Sequence, residues 1–387
     1  MDTPIYLDYA ATTPMAPEAV QAMLPYLTKT GLFANPASIQ HGLGEAAESV
    51  IENARSQIAA LLQGNAKDFV FTSGATESNN LAIKGIALAY RDRGKHIITS
   101  AIEHKSVLDT CKYLETQGFT VTYLRPDGDG LIRPDDILKA ITDETILVSI
   151  MQANNETGII QPIEQITRAL NDKNLFFHVD AAQSAGKLPI DLSALPVDLL
   201  SVSAHKFYGP KGMGCLYIRD RKRTRLSPIL HGGGQEHGLR PGTLATHQIV
   251  GMTTAFQIAQ ENLSQDFQHC LRLKQSLLNI LDRLEGITLN GKQADALPNI
   301  INVSFEHVSS DSLIIALREQ LAVSSGSACN SGAIEASHVL RAMGIEGDRL
   351  YGAIRISWGR YTTATEIEHA GHTIVEEVTR LRELALA

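Results

Sequence analysis

Leu199-Leu200-Ser201-Val202-Ser203-Ala204-His205-Lys206-Phe207-Tyr208-Gly209-Pro210-Lys211-Gly212 opens as a short buried-looking strand and closes in a glycine-rich turn. A near-continuous apolar run, rather than strict alternation, marks a strand covered on both faces. Runs of the same kind lie upstream at Phe69–Thr72, His96–Thr99, Ile146–Ile150 and Phe176–Val179. Amphipathic stretches separate them. In one, Val50, Ile51, Ala54, Ile58 and Leu61 recur at helical spacing on one face. This alternation predicts an α/β layer with a mostly parallel sheet. Beyond about residue 260 the pattern changes. A helix from Asp266 to about Leu284 precedes strands Ile287–Leu289 and Ile300–Phe305, and a further helix is expected around Ser312–Gln320. Strand Ile354–Ser357 and a charged helix from about Thr363 follow, with Thr363 and Glu366 at capping-box spacing. A smaller α+β domain is the expectation. The large domain is expected over 15–258, and the small one over 1–14 and 259–387.

A length of 387 residues suits two domains. An apolar fraction of 44% with 20% charged residues excludes a disordered chain. The 34 basic against 42 acidic side chains leave a net charge of −8. That argues against a protein that coats nucleic acid, and no direct nucleic-acid partner is expected. No apolar run approaches the ~18 residues that span a bilayer, so no membrane partner is expected either. Met1-Asp2-Thr3-Pro4 carries no secretory pattern, which points to the cytoplasm. The cysteines stand at 111, 215, 270 and 329, without a CxxC pair. A metal site or disulfide framework is therefore not expected, and free thiols are.

Several residues sit just past the predicted strands. Lys206 follows small residues at a strand end, where burial near other cations would depress its pKa and make it a Schiff-base nucleophile. Read alone, it is also an ordinary surface lysine. Asp180 ends the strand Phe176–Val179, with Gln183 one turn later. A carboxylate there faces the ligand crevice of an α/β sheet. It could keep a pyridine nitrogen protonated and make pyridoxal 5′-phosphate (PLP) an electron sink. It could equally cap a helix. Thr72-Ser73-Gly74-Ala75-Thr76-Glu77-Ser78-Asn79 joins a strand to a helix start and suits a phosphate, or an ordinary cap. His104 could stack on a flat heteroaromatic ring, or be structural.

Taken in order, the phosphate cradle, His104, Asn155, the Asp180/Gln183 pair and Ser203-x-His205-Lys206 form a more specific set than any one of them. With Tyr6-Leu-Asp-Tyr-Ala-Ala-Thr-Thr-Pro14, Asn35-Pro-Ala-Ser38, His231-Gly-Gly-Gly-Gln-Glu236 and Arg240-Pro-Gly-Thr243, the chain resembles the class V group of fold-type I PLP enzymes. Within that group it is similar to the cysteine desulfurases of the NifS/IscS type over nearly its whole length. The resemblance implies a PLP transferase fold whose large domain holds a mostly parallel seven-stranded sheet. It implies that Lys206 carries PLP, Asp180 pairs with the pyridine nitrogen, and Gln183 hydrogen-bonds the phenolic oxygen. His104 would stack on the ring and shuttle protons, with Asn155 beside the cofactor. Ala75, Thr76, Ser203 and His205 would hold the phosphate. Thr243 would reach the phosphate of the other subunit in a homodimer. Arg355 would grip the substrate carboxylate.

Cys329, in Ser324-Ser-Gly-Ser-Ala-Cys329-Asn330-Ser331-Gly332, separates a desulfurase from other enzymes of this fold. A thiolate must attack the sulfur of L-cysteine. The flanking small residues suit a sulfur that visits the cofactor and then an outside acceptor protein. Cys111, Cys215 and Cys270 read as structural. The implied reaction turns L-cysteine into L-alanine and leaves a persulfide on Cys329. Asn330-Ser331-Gly332-Ala333 and the ending Leu384-Ala385-Leu386-Ala387 depart from the housekeeping IscS pattern and leave the acceptor open. An iron–sulfur scaffold, a tRNA thiolation enzyme and a DNA phosphorothioation system of the DndA type are the candidates. The run Arg219-Asp-Arg-Lys-Arg-Thr-Arg225 reads as a solvated turn, or as a contact for an acidic protein or RNA. The rival functions are another PLP enzyme, an aminotransferase or a selenocysteine lyase, and a non-catalytic scaffold.

Overall fold

The computed structural model describes residues 3–325 and 336–386. Its centre is a seven-stranded sheet of β2 (Phe69–Thr72), β3 (His96–Ser100), β4 (Thr120–Leu124), β5 (Thr145–Met151), β6 (Phe176–Asp180), β7 (Leu199–Ser203) and β8 (Gly214–Ile218), after a short β1 at Ile5–Tyr6. The order across the sheet is β2-β8-β7-β6-β5-β3-β4. Only β8 runs against its neighbours. The strands expected from apolar runs are present to within one residue at either end. Two strands of this sheet were not read from the sequence, nor were the two-residue strands Ile5–Tyr6 and Leu321–Ala322. Edge strand β4 is only partly buried and carries threonines, so no apolar run announces it. β8 is fully buried but lies directly behind the glycine turn that the sequence reading treated as the end of the segment.

Each face of the sheet is packed by helices. The helix Gly42–Leu61 buries Ile51, Ala54 and Ile58 on one side, alongside Thr246–Glu261. Ala75–Ala89 and Lys105–Thr116 cover the other, around Leu81, Ile86, Val107 and Leu114. Covering both faces is what the continuous apolar strands require.

A second sheet, in the order β12-β10-β9, is antiparallel and consists of Ile287–Leu289 (β9), Ile300–Phe305 (β10) and Ala353–Ser357 (β12). The helices Leu263–Leu281 and Ala364–Leu386 flank it, and Trp358 is fully buried in the core that they share. The start of the last helix is the expected capping box. Thr363 N–H donates to Glu366 Oε2 at 2.7 Å, and Glu366 N–H donates to Thr363 Oγ1 at 3.2 Å. The N-terminus belongs to this end of the molecule. β1 pairs in parallel with Leu321–Ala322 (β11), and Leu7 packs into the same core. From there the chain passes Ala10 and Ala11 over the carboxyl ends of the central strands, so both sheets frame one space. Among the described residues, no helix is long and apolar enough to cross a membrane.

Candidate active site

Parallel strands β5, β6 and β7 end level with one another. Met151 pairs with Asp180, and Asp180 with Ser201. Residues just beyond those ends therefore converge. A cavity of about 810 Å³ opens there, lined by Ala75, Thr76, His104, Asn155, Asp180, Gln183, Ser203, His205, Lys206 and Arg355. Every site residue expected from the sequence is in it except two. Thr243 lines a separate cleft with Asn35, Arg55 and Glu236. Cys329 lies outside the described residues.

One end of the cavity is a cradle for an anion. β2 runs into Gly74, whose φ of +146° only glycine adopts readily. The helix Ala75–Ala89 starts there with no side chain capping it, so its leading N–H groups face the cavity with the positive end of the helix dipole. A Cβ on Gly214 would stand 2.6 Å from Gly74 Cα, so glycine at the start of β8 lets the sheet approach the turn. Glu77 braces the cradle, accepting from Ser73 N–H at 2.7 Å and from Arg240 Nε at 3.0 Å. Burial pushes its carboxyl up, but these bonds outweigh burial and hold it below the usual carboxylate range.

Lys206 closes the turn after β7. Its Nζ donates to the carbonyls of Ala10 at 2.6 Å and Ala11 at 2.7 Å. Burial, then the Arg355 charge, brings its pKa down to about 8. That is the depressed amine that the sequence pattern called for.

Asp180 is almost fully buried and accepts from Asn79 Nδ2 at 2.7 Å and from Ala182 N–H at 2.9 Å. Asn79 also donates to Ser106 Oγ at 2.8 Å, and that oxygen lies 2.9 Å from His104 Nδ1. Because the Ser106 N–H also donates to Nδ1, at 3.1 Å, that ring nitrogen is an acceptor. The neutral imidazole therefore carries its proton on Nε2. Burial lowers its pKa and favours this neutral form. His104 is thus the cap of the helix Lys105–Thr116 and a wall of the cavity at once. The structural and functional readings of it are compatible.

Arg355 is not a free guanidinium. It donates to Asp8 Oδ1 at 2.7 Å and to the Asn155 carbonyl at 2.9 Å. Its buried Nε–H has no partner among the described residues. A substrate carboxylate could take that donor while Asp8 keeps the group oriented. Asp8 and Asn79 were not read as site residues, because each acts through a partner far away in the chain. His338 and Glu156 also line the cavity. Burial raises the Glu156 pKa, and its Oε2 accepts from Ser337 Oγ at 2.5 Å.

Glu236, from the quoted His231–Glu236 run, has a structural task. It is paired with Arg55 at 2.7 Å, both side chains being under 5% exposed, and it accepts from Phe71 N–H at 2.7 Å. Removing Glu236 leaves buried Arg55 with the exposed carboxylate of Glu52 at 3.0 Å, a poor substitute for a buried counter-charge. Glu236→Ala should therefore lower the unfolding free energy by about 3–5 kcal/mol. Urea denaturation of the apoprotein measures this, and a loss within the ~0.5 kcal/mol of a surface change would contradict it.

The donor set fits PLP. The uncapped start of the helix Ala75–Ala89 would hold the phosphate, buried Asp180 would pair with the pyridine nitrogen, and the depressed Lys206 amine and the Gln183 amide would serve the groups between them.

Comparison with known proteins agrees with this geometry. The model of the family "Aminotransferase class-V" matches residues 5–369. The chain is 52% identical over 385 residues to the cysteine desulfurase IscS of Buchnera aphidicola subsp. Acyrthosiphon pisum, covering 100% of this chain and 95% of the relative. Among solved structures, a NifS-like protein superposes with a TM-score of 0.89 at 38% identity, covering 99% of each chain. SspA in complex with cysteine superposes with a TM-score of 0.83 at 41% identity, covering 93% of this chain and 100% of the other.

Proposed function

The chain belongs to the class-V aminotransferase family and is a PLP-dependent cysteine desulfurase, and on that premise we propose how its residues divide the work. The observation that carries this reading is the convergence of the ten residues from Ala75 to Arg355 on one cavity. Bound there, PLP would supply an electron sink for charge developing at the substrate Cα. Lys206 would hold the cofactor and take the Cα proton, a task that its depressed pKa favours. Asp180, fixed by Asn79, would face the pyridine nitrogen. Arg355 would orient the substrate carboxylate. The Cys329 thiolate would attack Sγ of L-cysteine, forming an S–S bond as the Cβ–S bond breaks. The carbon skeleton would then gain a proton at Cβ, take back the Cα proton from Lys206 and leave as L-alanine, with the sulfur kept as a persulfide. No outside oxidant or reductant is needed for this half of the cycle.

Two domains, 15–258 with the cofactor and 1–14 plus 259–387 with Cys329, would move the persulfide between cavity and acceptor. The two largest hydrophobic cores fall mostly on either side of that division and support it, with Tyr9 and Ala259 packed in the core of the larger part. The working unit would be a homodimer. Thr243 lies outside its own cavity, and Leu24, Leu27, Phe33, Ile39 and Leu43 are exposed apolar residues in one segment of the kind a second copy covers. Iron–sulfur assembly is the supply route that the IscS relatives support. The acceptor would be a scaffold protein of that assembly, with the exposed basic residues Arg219, Lys222, Arg223 and Arg225 available to an acidic partner. A cytoplasmic site of action suits free thiols.

The test is product analysis. L-cysteine should yield L-alanine and sulfide under reductant, with no requirement for an α-keto acid. Turnover that needs a keto acid would make the chain a transaminase. Activity confined to selenocysteine would make it a selenocysteine lyase.

A further inference from the structure

We infer that Lys187 is a positioning residue, which fixes the side-chain amide of Gln183 so that an N–H, and not the amide oxygen, faces the cofactor cavity. The inference rests on the PLP reading above. Gln183 lines the cavity and is 4% exposed. Its Nε2 donates to the Ala10 carbonyl at 2.8 Å. Lys187 lies four residues further on, in a run of turns, and its Nζ donates to the Gln183 backbone carbonyl and to Gln183 Oε1, both at 3.0 Å. A flipped amide would set its oxygen against the Ala10 oxygen, losing that bond, and its NH₂ against an amine that, when charged, can only donate. With Oε1 held by Lys187 and one N–H taken by Ala10, the second N–H is left for a group in the cavity. The Ala10 carbonyl also receives Lys206 Nζ, which sets amide and amine at a fixed separation.

Lys187 is well placed for this task. Burial first, then the charge of Lys206, lowers its pKa to about 7, yet both of its partners are oxygens, so it donates whether charged or neutral. Besides Lys206, the titratable groups whose charges reach it are His205 and Cys270. No role in proton transfer is needed, only the orientation of its neighbour. The group that would receive the spare N–H is the phenolic oxygen of PLP. A donor there favours the deprotonated form of the bound cofactor, in which that oxygen is more negative. Losing the donor should raise the pH at which the cofactor band changes.

The experiment titrates the visible absorption band of the holoenzyme against pH, with thermal unfolding as the check on folding. Lys187→Met should raise the midpoint by about half to one pH unit, as expected for one hydrogen bond. Lys187→Gln keeps a donor without the charge, and its midpoint should stay near wild type. In a Gln183→Ala background Lys187→Met should add nothing further. An unmoved midpoint in folded Lys187→Met would overturn the inference. A shift in Lys187→Gln as large as in Lys187→Met, or a full further shift in the Gln183→Ala background, would overturn it too, because the lysine would then act as a charge. A wild-type protein that binds PLP without such a band would overturn the cofactor reading instead.

Discussion

Lys206→Ala should release no measurable L-alanine from L-cysteine, a fall of about 10⁴-fold or more against wild type. On the proposed division of work, the substitution would remove both the amine that anchors the cofactor and the base that takes the Cα proton, so both losses would fall on one residue. The geometry explains why no neighbour replaces it. Lys206 Nζ is held by the Ala10 and Ala11 carbonyls, and the half-buried amine of Lys187 nearby is engaged by Gln183. The wild-type protein adds a signature in pH. Attachment to an aldehyde needs the neutral amine. With its pKa lowered to about 8, Lys206 is half neutral there, whereas an ordinary lysine reaches that point only near ~10.4. The rate of covalent PLP uptake by the apoprotein should therefore rise with pH and level off just above 8. Rapid-mixing absorbance measures it. A rate still climbing tenfold per unit at pH 9.5 would show that the amine is not depressed, and full alanine release by Lys206→Ala would remove it from the chemistry.

Cys329→Ser should lower alanine release at least ~100-fold while leaving PLP binding and the cofactor spectrum intact. A hydroxyl does not attack a thiol sulfur. The other cysteines offer no substitute. Cys111 and Cys215 are fully buried and Cys270 is 6% exposed, and burial pushes each thiol up to about 12. At pH 8 a thiol of that pKa is ionised in roughly one molecule in 10⁴. Mass spectrometry of wild type after a single turnover without reductant should find one added sulfur, on the peptide that holds Cys329. Equal alanine release by mutant and wild type would take Cys329 out of the reaction.

Much of the cavity was legible because its residues follow a local rule. Buried parallel strands read as unbroken apolar runs, and ligand residues sit just past their carboxyl ends. Asp180 and Lys206 could be found that way, as could the Ser73–Thr76 turn. The capping box at Thr363 was legible for the same reason, since its bonds span three residues. Strand β4 was not, because an edge strand half open to solvent carries a mixed composition.

The sequence by itself determined the α/β layering, the order of the chemical groups along the chain and the residue types that suit PLP. Tertiary structure alone decided what holds those groups in place. The Asp8–Arg355 pair joins residues 347 positions apart, and the Ala10 carbonyl under Lys206 is 196 positions away. Backbone carbonyls have no sequence signature, and contacts at such separation leave no period to read. They arise only when the N-terminal segment is drawn across the strand ends by β1 pairing and by burial of Leu7 in the second core. The same holds for Lys187, whose role depends on the direction in which a buried amide points, which only its surroundings fix.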